Sequence, residues 1–224
     1  MSQKARTAQL WLLAIAALVG VWLVENGAAT ELVPPQPTTA EAFAAGPGLR
    51  PDAPVADPLR PSAPVRVRIA AIGVDAPMTP LGLGPDGSLD APPVDTPDVV
   101  GWYKGGTPPG ARGTAILAGH VDSARGRSVF YRLGSLRKGS TVEVDRADGS
   151  TAVFSLDAIE VYENERFPDD RVYGASEHAS LRLITCGGGY SKETGYQGNV
   201  VAYAHLTDVR HAPSLTPSTD RRRA

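Results

Sequence analysis

One cysteine, Cys186, stands in a chain of 224 residues, so no disulfide can close within it. That excludes the disulfide-stapled scaffolds of small secreted domains. Four histidines and a single cysteine show no ligand spacing, so no metal site is expected. The turn "GPDGSLD" is too short and lacks the acidic pattern of a calcium loop. No cofactor is expected either. Lysine occurs only four times, at Lys4, Lys104, Lys138 and Lys192, and arginine makes up the rest of the 22 basic residues. Together with the alanine richness, this reads as a GC-rich coding bias. The formal charge is −2 and no long basic run lies inside the body of the chain, which argues against nucleic acid as a partner. Aromatics are few, at 6%, and no long amphipathic helix is evident, so the fold is not expected to rest on helices.

Proline and glycine are plentiful, at 20 and 24 residues. Nine of the prolines fall in residues 31–65, where they remove backbone donors and favour an extended chain. Residues 25–65 are therefore expected to be a disordered stalk. Before it, residues 1–6 carry Lys4 and Arg6, and residues 7–24 ("TAQLWLLAIAALVGVWLV") carry no charge. Eighteen residues of helix at about 1.5 Å each reach roughly 27 Å, enough to cross a hydrocarbon core. Trp11 and Trp22 sit near the two ends as interfacial anchors. The preceding positive charges predict one transmembrane anchor in the cell membrane, with everything after residue 24 on the far side from the cytoplasm. A cleaved signal peptide is the alternative, with "NGAAT" as the cleavage region, although the apolar run exceeds the usual length.

The rest of the chain alternates in the manner of strands. "VRVRIAAIGV" starts the folded part near Val65, and "GTAILAGHV" at 113–121 is a glycine-bounded buried strand. "TVEVDRADGSTAVFSLDAIEVY" reads as a hairpin turning at "RADG", and "LRLITC" and "NVVAYAHL" are two further strands. "VFYRLGSL" and "FPDDRVYG" read as turns or single helical turns. Six to eight short strands with Gly/Pro connections favour an all-β, closed or nearly closed barrel. Residues 208–224 are polar and are expected to form a disordered tail.

Two strand ends carry the candidate chemistry. Cys186 ends "LRLITC" and is followed by three glycines, while His120 ends "TAILAGH" and is followed by Asp122. A thiolate attacking a carbonyl, with an imidazole moving protons, is the logic of thiol acyl transfer. Two strand ends on one barrel rim can supply that pair. The glycines allow close backbone approach and leave N–H groups, Gly187 first, for an oxyanion. A buried inert thiol is the plain alternative for Cys186, and a structural role is the plain alternative for His120. His205 and His178 are the rival bases, though neither ends a glycine-bounded strand. Asp122 can orient the imidazole or cap a turn.

"TAILAGHVDS", followed 66 positions later from His to Cys by "LRLITCGG", resembles the sortases, and most closely the class F group of high-GC Gram-positive bacteria. "VGWYKGG", "PPGARGTA", "VFYRLGSLRKG" and "NVVAYA" join the match, which covers residues 66–207. The resemblance implies a sortase-type β-barrel of about eight strands. It implies a cysteine transpeptidase that cleaves an LPXTG-type sorting motif of surface proteins between Thr and Gly. The acyl group is held as a thioester on Cys186 and passed to an amine of a lipid II-like peptidoglycan precursor. His120 is then the general acid/base, and Thr185 is a substrate-contacting position. The family's arginine has no counterpart: Asn199 stands at that place, with one neutral donor and no charge. Arg182 lies on the same strand face as Cys186 by period-two counting and is the nearest candidate replacement. The missing arginine leaves a second reading open, a non-catalytic or weakly active cell-wall binding module on the same barrel. An L,D-transpeptidase is disfavoured because "ITCGGGY" lacks the compact His–Gly–Cys–Arg motif. Pilin polymerisation, with a protein lysine as acceptor, remains a variant of the first reading.

Overall fold

The structure is a computed structural model that describes residues 33–43 and 54–211. The expected anchor at 7–24 and the end of the tail lie outside the described residues. Among the described residues, no helix is long and apolar enough to cross a membrane.

Ten strands form. They are β1 (Pro64–Ile69), β2 (Val74–Leu81), β3 (Val100–Tyr103), β4 (Gly113–Ala118), β5 (Asp122–Ser123), β6 (Gly126–Arg127), β7 (Thr141–Arg146), β8 (Ser150–Glu163), β9 (Ala179–Ser191) and β10 (Gly195–His211). Eight of them close a barrel in the order β1-β2-β3-β4-β9-β10-β8-β7, and β5 with β6 makes a small separate hairpin. The expected all-β barrel of about eight strands is therefore present. "VFYRLGSL" contains a 3-10 turn at Leu133–Ser135, and "FPDDRVYG" contains a short helix, α1 (Asp169–Tyr173).

Alternation of apolar residues drives this closure. Val67 and Ile69 of β1, Leu117 of β4, Val142 and Val144 of β7, Leu181 and Leu183 of β9, and Val200, Ala202, Ala204 and Leu206 of β10 all point inward and are buried together. Each large side chain taken fully out of water contributes about 1.5–3 kcal/mol. The seam between β1 and β7 is tied outside by Arg68, which donates to Asp145 at 2.7 Å and pairs with Glu143 at 3.3 Å. The guanidinium holds the Asp145 carboxyl below its ordinary range.

Two boundaries differ from expectation. Strand β10 continues through His211, pairing it with Ser150, so residues 208–211 belong to the barrel and not to a tail. Backbone ladder bonds hold them despite their polar side chains. The described parts of the expected stalk also lie on the barrel. Ala56 N–H donates to Leu206 O at 3.0 Å and Leu59 N–H to Gly110 O at 2.8 Å. Farther back, Glu41 is 9% exposed and accepts the Lys138 N–H at 2.7 Å, while the Phe43 N–H donates to Glu160 at 3.1 Å. Proline-rich segments dock through just such scattered donors without forming regular structure.

Candidate active site

Register brings the candidate residues into one row. Strands β4 and β9 run parallel, paired from Gly113↔Ala179 to Ala118↔Ile184, and the Gly119 N–H continues the ladder to Ile184 O at 3.1 Å. The next step along both strands sets His120 beside Cys186. On the other side of β9, Cys186 pairs directly with Asn199 of β10. Directly opposed residues share a face, so His120, Cys186 and Asn199 line up across three adjacent strands at one rim. Gly119 is needed for this approach, because a Cβ there would meet Phe130 Cδ2 at 2.5 Å.

The nucleophile candidate is exposed at its surface. Burial of the surrounding strand end pushes its thiol pKa up, and the Asp122 carboxylate pushes it further the same way. No cation enters among the causes of that shift. His120 Nε2 lies 2.7 Å from Pro92 O in the loop between β2 and β3. A carbonyl only accepts, so Nε2 carries the hydrogen and Nδ1 is left for proton traffic.

Asn199 is adjacent to Cys186 as expected, yet one N–H of its amide already donates to Asn164 Oδ1 at 3.0 Å. Asn164 in turn donates to Tyr196 O at 3.1 Å. The amide is thereby fixed by the segment between β8 and β9. Asp122 does not orient His120: its carboxylate accepts the Tyr196 hydroxyl from β10. Tyr196 and Asn164, which no motif singles out, join the site through these bonds. Only pairings spanning 74 and 35 positions reveal them.

The side chains of two expected contributors, Thr185 and Arg182, lie away from the thiol, while Gly187 directly follows it. Thr185 is 4% exposed and pairs with the inward-facing Val200, so its side chain points into the barrel, away from Cys186. Strand parity forces this, since neighbouring residues face opposite ways. A substrate on the outer face can meet its backbone only. Arg182 does share the outer face, but it lies four positions from Cys186 along the strand, roughly 13 Å. Its guanidinium lies 4.5 Å from the Tyr203 ring centroid and donates to Leu181 O at 3.1 Å. It is not the missing cation. Gly187 is buried beside Val200. The neighbouring Gly188, with φ +75°, donates its N–H to Gln36 Oε1 at 3.4 Å, so that donor is engaged by the segment expected to be a stalk. His178 and His205 both lie toward the other end of β9, and His205 pairs with Ser180.

The outer face of β4, β9 and β10 is apolar. Ile116, Ile184, Val201 and Tyr203 form a second cluster covered by Val172 of α1, with Leu89, Tyr103 and Phe167 against it. One cavity of about 730 Å³ opens beside Asp169 and Tyr173 of α1 over Thr114 and Ile116. A second, of about 490 Å³, opens beside Asp170 and Arg171 over Arg182 and Tyr203. Overhanging loops and an apolar strand floor on the same outer face as Cys186 make a place for an extended peptide.

A β-barrel with a rim thiol and histidine of this arrangement defines a class, and the comparisons agree. The sortase domain profile matches residues 67–207, and the chain belongs to the sortase family, whose members are cysteine transpeptidases. Among solved structures, Listeria monocytogenes sortase A is 14% identical with a TM-score of 0.51, over 69% of this chain and 93% of that one. Corynebacterium diphtheriae sortase A is 19% identical with a TM-score of 0.51, over 70% of this chain and 64% of that one. At these identities the likeness is one of fold. No curated protein matches the sequence.

Proposed function

We propose that this protein is a membrane-anchored class F sortase that cleaves an LPXTG-like sorting motif and transfers the released surface protein to a peptidoglycan-precursor amine. The observation that carries this is the row His120–Cys186–Asn199 on one exposed rim of a sortase barrel. Residues 7–24 supply the anchor, placing the barrel outside the cytoplasm. In the first step His120 Nδ1 takes the proton of the Cys186 thiol as Sγ attacks the Thr carbonyl carbon. The Thr–Gly C–N bond then breaks, and His120 delivers a proton to the departing glycine amine. The product is a thioester on Cys186. In the second step an acceptor amine attacks that thioester, and the thiol leaves. The remaining N–H of Asn199 is the neutral donor nearest the developing oxyanion.

The test is peptide-library profiling of the full chain with quenched LPXTG-type peptides, comparing wild type with Cys186→Ala. Thiol-dependent cleavage and a mass-detected acyl adduct on Cys186 are the expected results. Equal fluorescence release by both proteins would sink the reading. A specific observation favours the second reading, a weakly active or non-catalytic wall-binding module: burial and the Asp122 carboxylate both push the thiol pKa up. Peptide binding with no adduct would select it.

A further inference from the structure

The group nearest the thiol that the two-residue proton machinery does not use is Asp122. It lies in β5, two residues after His120, is exposed, hydrogen-bonds Tyr196 on the strand paired with that of Cys186, and its charge disfavours ionisation of the thiol. A carboxylate beside a nucleophilic thiolate hinders the first step of thiol acyl transfer. The fold nevertheless holds it there on purpose-built contacts. The Tyr196 hydroxyl donates to Asp122 Oδ2, and the Tyr196 ring leans on Tyr190 at 5.2 Å between centroids. Tyr190 and Tyr196 are themselves a cross-strand pair between β9 and β10, beyond Cys186. Asp122 therefore bridges the strand end carrying His120 to the strand ends flanking Cys186.

The basic residues around it face other ways. Arg127 pairs with Asp122 across the β5–β6 hairpin, but its guanidinium lies 4.7 Å from the Tyr131 ring centroid. Arg125 donates to Asp95 O at 2.9 Å. Among the described residues, Asp122 forms no ion pair, and Oδ1 has no bond in the structure beyond the Oδ2 contact to Tyr196. An exposed carboxylate, oriented by a phenol on the strand that pairs with the Cys186 strand, is suited to a cation arriving at that rim.

We infer that Asp122, oriented by Tyr196, is the docking group for the acceptor's primary ammonium. This rests on the transpeptidase reading and deepens it. Before acylation the carboxylate hinders the thiol; after acylation no thiolate remains to be hindered, and the same charge gathers the second substrate. The ammonium donates to Asp122 Oδ1 and passes one proton to it. The freed lone pair bonds to the thioester carbonyl carbon. The C–S bond breaks with its electron pair going to Sγ. A second amine proton travels by way of His120 to that sulfur, the new amide keeps the third, and Asp122 returns its proton to water.

The experiment uses the full chain as wild type, Asp122→Asn and Tyr196→Phe, at low salt. The first readout is the rate at which Cys186 reacts with a trimethylammonium-ethyl methanethiosulfonate, a sulfonatoethyl one and a neutral methyl one. A unit charge on the order of 6 Å away changes the local concentration of a cation about threefold and that of an anion oppositely. The cation-to-anion rate ratio is therefore expected to fall about tenfold in Asp122→Asn, with the neutral reagent correcting for general reactivity, and to fall less in Tyr196→Phe. An unchanged ratio overturns the inference. The second readout partitions the acyl-enzyme between ethylamine, a cation at neutral pH, and hydroxylamine, which is neutral. Asp122→Asn is expected to shift products about threefold toward the hydroxamate. Acyl-enzyme that forms with no shift overturns the inference while the transpeptidase stands. No acyl-enzyme in wild type overturns both, and the thiol-rate ratio then reports only whether the rim attracts cations.

Discussion

Two histidines stand at opposite ends of one three-strand ladder, in opposite surroundings. His205 on β10 is 3% exposed, with Nδ1 2.7 Å from Asp157 Oδ1 and Nε2 3.1 Å from Pro54 O. Both of its ring nitrogens are engaged, and Ser180, its partner on β9, is six residues from Cys186, roughly 20 Å. His120 is only half-buried, uses one nitrogen on a carbonyl, and stands beside an exposed thiol. A His–Asp pair is thus no mark of chemistry by itself. What separates the two ends is a ring nitrogen left without a bond on a half-exposed histidine, at the rim that carries an exposed thiol.

The sharpest test of that contrast exchanges the two. Removal of a general acid/base lowers rate by about 10²–10⁴. His120→Ala is expected to lose that much peptide cleavage, while His205→Ala cleaves within about threefold of wild type per folded molecule. Loss of cleavage in both, with both folded, would erase the distinction. A second test asks about stability. His205→Ala leaves the Asp157 carboxylate without its buried partner, so unfolding in urea should show a loss of about 2–3 kcal/mol. His120→Ala, at an exposed rim, should lose less than about 1 kcal/mol. Equal midpoints would mean that the His205 end is not a structural lock.

The smallest effect concerns pH. The reactive species is the thiolate, and burial together with Asp122 raises the Cys186 pKa. Iodoacetamide labelling should therefore rise with pH to a midpoint above the ordinary thiol value of about 8.5. At neutral pH the free enzyme then reacts slowly, and it speeds up in alkali. A midpoint below neutrality would place a cation at the rim and bring its electrostatics into line with an arginine-bearing site.

Much of this was legible in the sequence. Period-two alternation specified strands, and glycine-bounded strand ends singled out His120 and Cys186. Their separation of 66 positions is the offset of a parallel β4–β9 pairing. The place of Asn199 came from the resemblance, and its pairing with Cys186 became visible only in the strand register. The parity that predicts Arg182 on the Cys186 face also turns the Thr185 side chain inward, which leaves its backbone for the substrate contact that the resemblance implies. Asp122 with Tyr196 and Asn199 with Asn164 were hidden because each bond joins loops distant in sequence. The docked stretches of the Pro-rich region were hidden because Gln36, Glu41 and backbone amides hold them, and no apolar pattern announces such contacts.

The parallel pairing of β4 with β9 bears on the order in which the molecule is made. The β7–β8 hairpin joins neighbours through the short turn at Arg146–Gly149 and needs little loop closure. The His120–Cys186 juxtaposition requires closing a loop many times longer, an entropic barrier that places it late in folding. A chain released in stages can form hairpins well before it owns a reactive pair. The thiol meets its base only when barrel closure is nearly complete, so immature chains carry the parts of the catalyst without its chemistry.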